Sequence, residues 1–420
     1  MSPVDASTTL PASAHEEPDP LWKRTLYASW IAQLLSISAF SLCMPFIPFF
    51  IRDLGVTKES EVQLWAGITV TASGLALTLF SPIWGNLSDR FGRKIMVARA
   101  MFGGCVVLLV MGFVHDVYQL TAMRALQGCL TGTMVASTTL VSSVVPRHRI
   151  GWSLGLMYTA VLTGNSVGPW IGGVVADHFG YRVPFYLASC LLFMGGLAVV
   201  LFVRERFDPA EASHKNRRGL RKAFGKKGLA ALLSVFFFLS FSGSFVVPIF
   251  PLFVEHIAVG YKPASITGLL LGLTGIAAGI GSVMVGRFGD RYGHRKVLVG
   301  TTLSTGLLVA PQALVQHLPE LFALRIAGGL ASGGTSPAMN SIIGMTAPPE
   351  IYGRAYGVAQ SASSLGFALG PLVGASLSAQ LGLRVPFAVM GGLLALSSLL
   401  VYLFVKPRDV EPVNGSDAAD

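Results

Sequence analysis

The chain has 420 residues, 52% of them hydrophobic and only 12% charged, with a mean hydropathy of +0.62. Soluble domains carry about 25% charged residues, and no single soluble core of this length buries so many long runs of Leu, Val, Ala, Phe and Gly. The formal charge of +10 would suit nucleic acid, but its placement, given below, excludes that partner in favour of an anionic membrane surface.

In chain order, residues 1–22 are Pro-rich and mildly acidic (Glu16, Glu17, Asp19) and lack a basic segment ahead of an apolar core. They read as a disordered cytoplasmic tail without a cleavable signal. A spanning helix needs about 20 mostly apolar residues. The pattern predicts twelve, over 25–51, 62–84, 95–114, 117–141, 152–176, 182–203, 228–254, 263–285, 296–315, 318–342, 353–376 and 384–405. The fold class is therefore an all-α integral membrane protein. Residues 23–203 and 228–405 form two six-helix bundles, joined by a basic linker over 204–227 and followed by a tail over 406–420. Cys43, Cys105, Cys129 and Cys190 all lie in apolar runs without a CxxC pair. They read as packing residues, with neither a disulfide framework nor a metal site expected.

Charge sets the orientation. With both termini in the cytoplasm, only Arg52, Lys58, Arg182, Lys262 and Arg384 of the 31 Lys and Arg fall in external loops, and Arg99, Arg124 and Arg325 lie inside spans. The rest face inward, as the positive-inside rule requires.

The halves repeat at an offset of 201 to 203 residues. Pro45 and Pro48 are echoed by Pro248 and Pro251, Arg124 by Arg325, and Gly155, Gly164, Gly168-Pro169 and Gly172 by Gly357, Gly366, Gly370-Pro371 and Gly374. Arg182-Val183-Pro184-Phe185 recurs as Arg384-Val385-Pro386-Phe387. Two parallel halves imply a substrate site between them near the midplane, reached by rocking.

Three motifs carry chemistry. Gly85-Asn86-Leu87-Ser88-Asp89-Arg90-Phe91-Gly92-Arg93-Lys94 reads as a loop between spans two and three, with a looser copy at Gly286, Asp290 and Arg291. Its glycines permit a tight turn, and its carboxylate can accept from helix N-terminal amides or arginines. Arg124, within Arg124-Ala125-Leu126-Gln127-Gly128, lies about two turns inside span four, where a cation costs roughly 2.5–3.5 kcal/mol and needs a partner, a wet cavity or a snorkelling path. Gly164, Gly168 and Gly172 share one face of span five and allow another helix to approach closely. Pro169 removes the bond to the Asn165 carbonyl.

These motifs resemble the major facilitator superfamily over about residues 23–407, and within it the twelve-span drug:proton antiporters of multidrug-resistance and tetracycline-efflux type. The resemblance implies that the Gly85–Lys94 segment latches the halves on the cytoplasmic side, the alternative being a basic loop that only fixes topology. It implies that Arg124 handles protons by biasing a nearby carboxylate, snorkelling being the alternative. It marks the Gly155–Gly172 pattern as an antiporter motif, with generic packing the alternative. It also implies a cavity lined chiefly by spans one, four, seven and ten. Candidate lining residues are Gln33, Phe40 and Met44 of span one, Phe241 of span seven, and Tyr158, Asn165, Asn340 and Gln360. Such apolar and aromatic walls with a few polar groups suit amphipathic drugs; facing lipid or neighbouring helices is the competing assignment. No acid falls in the middle third of any span, so Asp53, Asp116 and Glu255 stand as candidate proton carriers beside Arg124.

The expected function is export of hydrophobic or amphipathic molecules in exchange for protons. A narrow-specificity metabolite transporter, or less readily a non-transporting receptor, is the alternative. No HExxH, GxSxG or P-loop pattern occurs, which argues against an enzyme and against direct ATP drive. No cofactor is expected beyond the proton gradient. The expected partners are a small-molecule substrate and the bilayer, with the protein a monomer in the plasma or inner membrane.

Overall fold

A computed structural model describes residues 21–205, 233–346 and 352–404. Most of the expected linker, most of the expected N-terminal tail and all of the expected C-terminal tail lie outside the described residues; Trp22, expected in the tail, opens the first helix. The first half contains α1 (Trp22–Cys43), α2 (Ile47–Asp53), α3 (Glu59–Phe91), α4 (Arg93–Met111), α5 (Val117–Leu130), α6 (Thr133–Val144), α7 (Ile150–Phe179) and α8 (Val183–Phe202). The second contains α9 (Leu233–Ser244), α10 (Phe250–Ile257), α11 (Pro263–Tyr292), α12 (His294–Val309), α13 (Leu318–Ser332), α14 (Thr335–Thr346), α15 (Tyr352–Leu381) and α16 (Val385–Phe404). The pairs α1–α2, α5–α6, α9–α10 and α13–α14 each make one crossing, so the twelve expected crossings are present. Helices span because their backbone groups are satisfied internally in a medium without water. Among the described residues, eight segments are long and apolar enough to cross by length and composition alone. Here the end where Trp22, Phe202 and Phe404 lie is called basal, and the end carrying Asp53, Phe179, Ile257 and Leu381 apical.

The structure departs from the sequence reading at four places. The Gly85–Phe91 segment is the continuation of α3, not a loop; the turn is Gly92 alone, at φ +91°. Gly286–Tyr292 likewise continues α11 up to Gly293, also at φ +91°. A helix whose bonds are internal needs no apolar side chains once it leaves the hydrocarbon, so the end of hydrophobicity is not the end of the helix. Crossing four breaks at Gly132, at φ +132°, a conformation strained for any other residue. Crossing ten breaks at Gly333–Gly334.

The repeated sequence becomes repeated contacts. Phe50 packs on Phe185 with ring centroids 5.1 Å apart, and Phe253 packs on Phe387 at 4.4 Å. Arg182 donates to the Gly112 carbonyl at 2.8 Å, and Arg384 to the Ala313 carbonyl at 3.1 Å. The Arg-Val-Pro-Phe motif thus pins the start of one helix to the end of another and buries a phenylalanine behind it, once per half. These aromatic cores sit toward the apical end of each bundle.

Glycine stripes set the close approaches. Gly164, Gly168 and Gly172 of α7 meet Ile37, Ser38, Ser41 and Leu42 of α1, and Gly366, Gly370 and Gly374 of α15 meet Phe237, Phe241 and Phe245 around α9. The pattern therefore packs crossing five on one, and crossing eleven on seven. The halves join along two seams. In one, Gly67 and Gly74 of α3 face Ala375 and Ala368 of α15. In the other, Gly268, Gly272 and Gly275 of α11 face Pro169 and Ser166 of α7.

Candidate functional site

The polar contacts between halves among the described residues gather at the apical end. Arg52 of α2 and Glu255 of α10 form an ion pair at 2.6 Å, each side chain 34% exposed. Asp177, in the last turn of α7, accepts the backbone N–H groups of Ser265 at 2.6 Å and Ala264 at 3.4 Å. Lys262 and His178 lie 3.0 Å apart across the same seam. A carboxylate at a helix C-terminus opposes the macrodipole of its own helix; here Asp177 serves the N-terminus of α11 instead, where free N–H groups and the positive end of a dipole stabilise it.

Tyr181 sits among these charges, its ring 5.5 Å from that of Phe49. Burial, and then the fields of Asp177, Asp53 and Glu255, push its phenol up to about 12, with Arg52 opposing. Two of the expected acids, Asp53 and Glu255, therefore belong to one apical cluster, with Asp177 as a third. Asp177 was missed in the sequence; the available signal was an acid in a last helical turn, a position needing an outside partner. Asp116 is elsewhere: its side chain accepts from the Gln119 N–H at 2.7 Å and caps α5.

Toward the basal end the halves part. Along α7 and α11 the approach tightens at Gly173 with Ala264 and has loosened to Gly279 with Leu162 at 3.6 Å; Gly151 and Gly155, further on, have no neighbour within 4 Å. Between these helices lies an apolar groove of ≈ 470 Å³ walled by Leu162, Ser166, Trp170, Gly272, Gly275 and Ile276. None of the expected cavity residues lines it.

Arg124 is 6% exposed, so it is held inside the bundle and does not snorkel. Its guanidinium donates to the Gln127 side chain and approaches the Met44 sulfur at 2.6 Å. The carboxylate expected beside it is absent among the described residues; an amide and a thioether take that place. Met44 and Arg124 are thus brought together, as are Ser41 and Asn165, whose Oδ1 accepts at 2.7 Å. Phe40 packs on the apical core, and Phe241 stacks on Phe237 at 5.7 Å. Gln33 is 1% exposed, and both its amide atoms lack partners. It is enclosed in the first half and does not line an open cavity. Tyr158 and Asn165 of α7, Asn340 of α14 and Gln360 of α15 are exposed side chains.

In the gating segment, Gly85 and Gly286 have open space around them. Arg90 lies over Phe91 and Arg291 over Tyr292, each 5.4 Å from the ring. The side chains of Asp89 and Asp290 lie outside what is described. The N–H groups of Arg93 and Lys94 are capped by Glu205 at 2.9 and 2.7 Å, and the Lys94 ammonium reaches the Val200 carbonyl at 3.0 Å. The contacts described for this segment thus stay within their own half and the start of the linker, and none reaches the other half. Gly155, the first glycine of the antiporter motif, packs on nothing, unlike Gly164, Gly168 and Gly172.

The profile of the Major Facilitator Superfamily matches residues 29–266 and 232–420. Multidrug resistance protein MdtG of Enterobacter lignolyticus (strain SCF1) is 36% identical over 372 residues, spanning 88% of this chain and 89% of that protein. MdtG of Salmonella choleraesuis (strain SC-B67) is 34% identical over 392 residues, spanning 92% and 96%. Among solved structures, a bacterial homolog of the human lysosomal transporter Spinster, inward-facing and occupied, superposes with a TM-score of 0.75 at 12% identity, covering 95% of this chain and 100% of that one. The nucleoside transporter NupG gives 0.74 at 14% identity, covering 92% and 98%. At such identities the solved structures establish the fold.

Proposed function

The chain belongs to the major facilitator superfamily, and from that premise we propose that it exports amphipathic drugs or related molecules in exchange for protons, by alternating access. The proposal takes its substrate class from the similarity to MdtG and its orientation from the placement of Lys and Arg. Both termini then lie in the cytoplasm, the basal end faces inward, and the apical end faces outward.

One observation carries the alternating-access reading. The two halves are tied at the apical end by charge and hydrogen bonds and separate toward the basal end. In the proposed orientation this is the inward-facing arrangement, closed to the outside and reachable from the cytoplasm. To release cargo outward, Arg52 must part from Glu255, and Asp177 from the α11 N-terminus. Ionised, these acids hold the seam; protonated, Glu255 loses its ion pair and Asp177 its attraction to the helix dipole. We propose that Asp53, Asp177 and Glu255 are where external protons act on the cycle, and that Arg124 fixes crossing four against crossing one while the halves rock. Export needs no cofactor in this scheme, only the pH gradient, and a monomer suffices.

Ethidium movement into inverted membrane vesicles with an imposed pH gradient tests the proposal. Uptake that collapses with an uncoupler is the expected result. Folded protein that moves no dye would overturn the multidrug reading in favour of a narrow-specificity transporter.

A further inference from the structure

The two halves treat the arginines inside their fourth crossings differently. In the first half, Arg124 Nη1 donates to Gln127, one turn on, and approaches Met44, and of its nitrogens only Nε is buried without a partner among the described residues. In the second, the position equivalent to Gln127 is Gly328, and the position equivalent to Met44 is Val247. Arg325 lies 3.6 Å over the ring of Phe250, and its Nε and Nη2 atoms are buried without a hydrogen-bond partner among the described residues. No ion pair reaches it among those residues. An unneutralised guanidinium inside a membrane bundle is costly, and three of its N–H groups remain to be used.

The space left by the missing glutamine is a cavity of ≈ 260 Å³ inside the second bundle. Arg325, itself partly exposed, stands on its wall with Gln312 and Thr302, and those two are each 1% exposed. Gln312 Oε1 and Thr302 Oγ1 have no partner there. Leu239, Val309 and Leu394 supply an apolar wall. Gly328 is not there for packing: a Cβ added to it would meet only Leu308, at 3.9 Å. The glycine keeps the cavity open where the other half closes it with the arginine's own partner.

We propose that this cavity is a binding site for a small organic carboxylate. Arg325 pairs with the carboxylate, the Thr302 hydroxyl donates a further hydrogen bond, and the apolar wall takes the hydrocarbon part. A bare halide would satisfy the cation but leave the apolar wall and most of the volume unused, so the occupant is an amphipathic acid. The site lies within one half and does not depend on the direction of transport.

The test uses the full-length protein in detergent micelles, with sodium benzoate as probe, benzamide as its uncharged isostere, and sodium chloride at matched ionic strength. Ligand that binds the folded state raises the unfolding temperature in a saturable way. Benzoate is expected to do so, and benzamide and chloride are not. Arg325→Gln and Gly328→Gln, the latter supplying Arg325 with an internal partner, should each weaken the half-saturating benzoate concentration at least tenfold. If Arg325→Gln fails to fold, Gly328→Gln decides alone, since glutamine is a better helix former than glycine. No benzoate response in the wild type, an equal response to benzamide or chloride, or an undiminished response in Gly328→Gln overturns the proposal.

Discussion

Asp177 and Ser265 are 88 residues apart in sequence and belong to different halves, yet the carboxylate of one accepts the backbone N–H of the other at 2.6 Å. This bond makes the end of crossing five the cap of crossing eight. Removing the charge while keeping the shape, as in Asp177→Asn, should weaken apical closure by about 1 kcal/mol, the usual scale for a charge at a helix N-terminus. Spin labels placed on the apical ends of α7 and α11 should report a roughly fivefold gain in the apically open population.

The Arg52–Glu255 pair is one-third exposed on both sides, so it is screened and contributes no more than about 1 kcal/mol. Its value is positional. Glu255→Arg should slow dye export by placing like charges across the seam, and the swapped double variant Arg52→Glu with Glu255→Arg should recover much of the rate. A double-mutant cycle on export checks this; purely additive losses would mean the pair is incidental.

Tyr181 offers a pH readout of the same cluster. Its phenol is pushed up to about 12 by burial and by the neighbouring acids, against about 10 in the unfolded chain. The neutral phenol is therefore the form the fold favours. Its contribution is complete below pH about 10 and lost as the pH rises through about 12. The phenolate absorbance of wild type minus Tyr181→Phe should show one tyrosine titrating above the others, and Asp177→Asn should move that titration downward.

The antiporter motif divides by contact. A methyl at Gly172 would collide with the Leu42 carbonyl, whereas one at Gly155 meets nothing within 4 Å. Gly172→Ala should cost on the order of 1–3 kcal/mol through forced separation of α7 from α1. Gly155→Ala should leave stability unchanged or raise it by up to about 1 kcal/mol. Thermal unfolding in detergent separates the two, and a destabilised Gly155→Ala would show that this glycine packs in another state of the cycle.

Arg124→Ala removes a buried guanidinium together with its contacts to Gln127 and Met44. It should abolish proton-coupled export, with Arg124→Lys failing nearly as badly, because an ammonium cannot reproduce the planar fork. Normal export by Arg124→Lys would reduce the role of this residue to its charge.

The crossings, the internal repeat and the glycine faces were all legible in the sequence. A helix in hydrocarbon must satisfy its own backbone over a fixed thickness, which writes itself as runs of about 20 apolar residues. A close helix approach requires small residues four apart, as at Gly164, Gly168 and Gly172. These constraints are local, and composition records them. Three matters were decided only by the tertiary structure: which end of the molecule is shut, what Arg124 donates to, and what leaves Arg325 Nε and Nη2 without a partner among the described residues. Each depends on groups that meet across tens to hundreds of residues: Asp177 with Ser265, Arg52 with Glu255, Arg124 with Met44. A single acid or arginine has no periodicity to announce its partner, so only the packing of helix on helix could assign one.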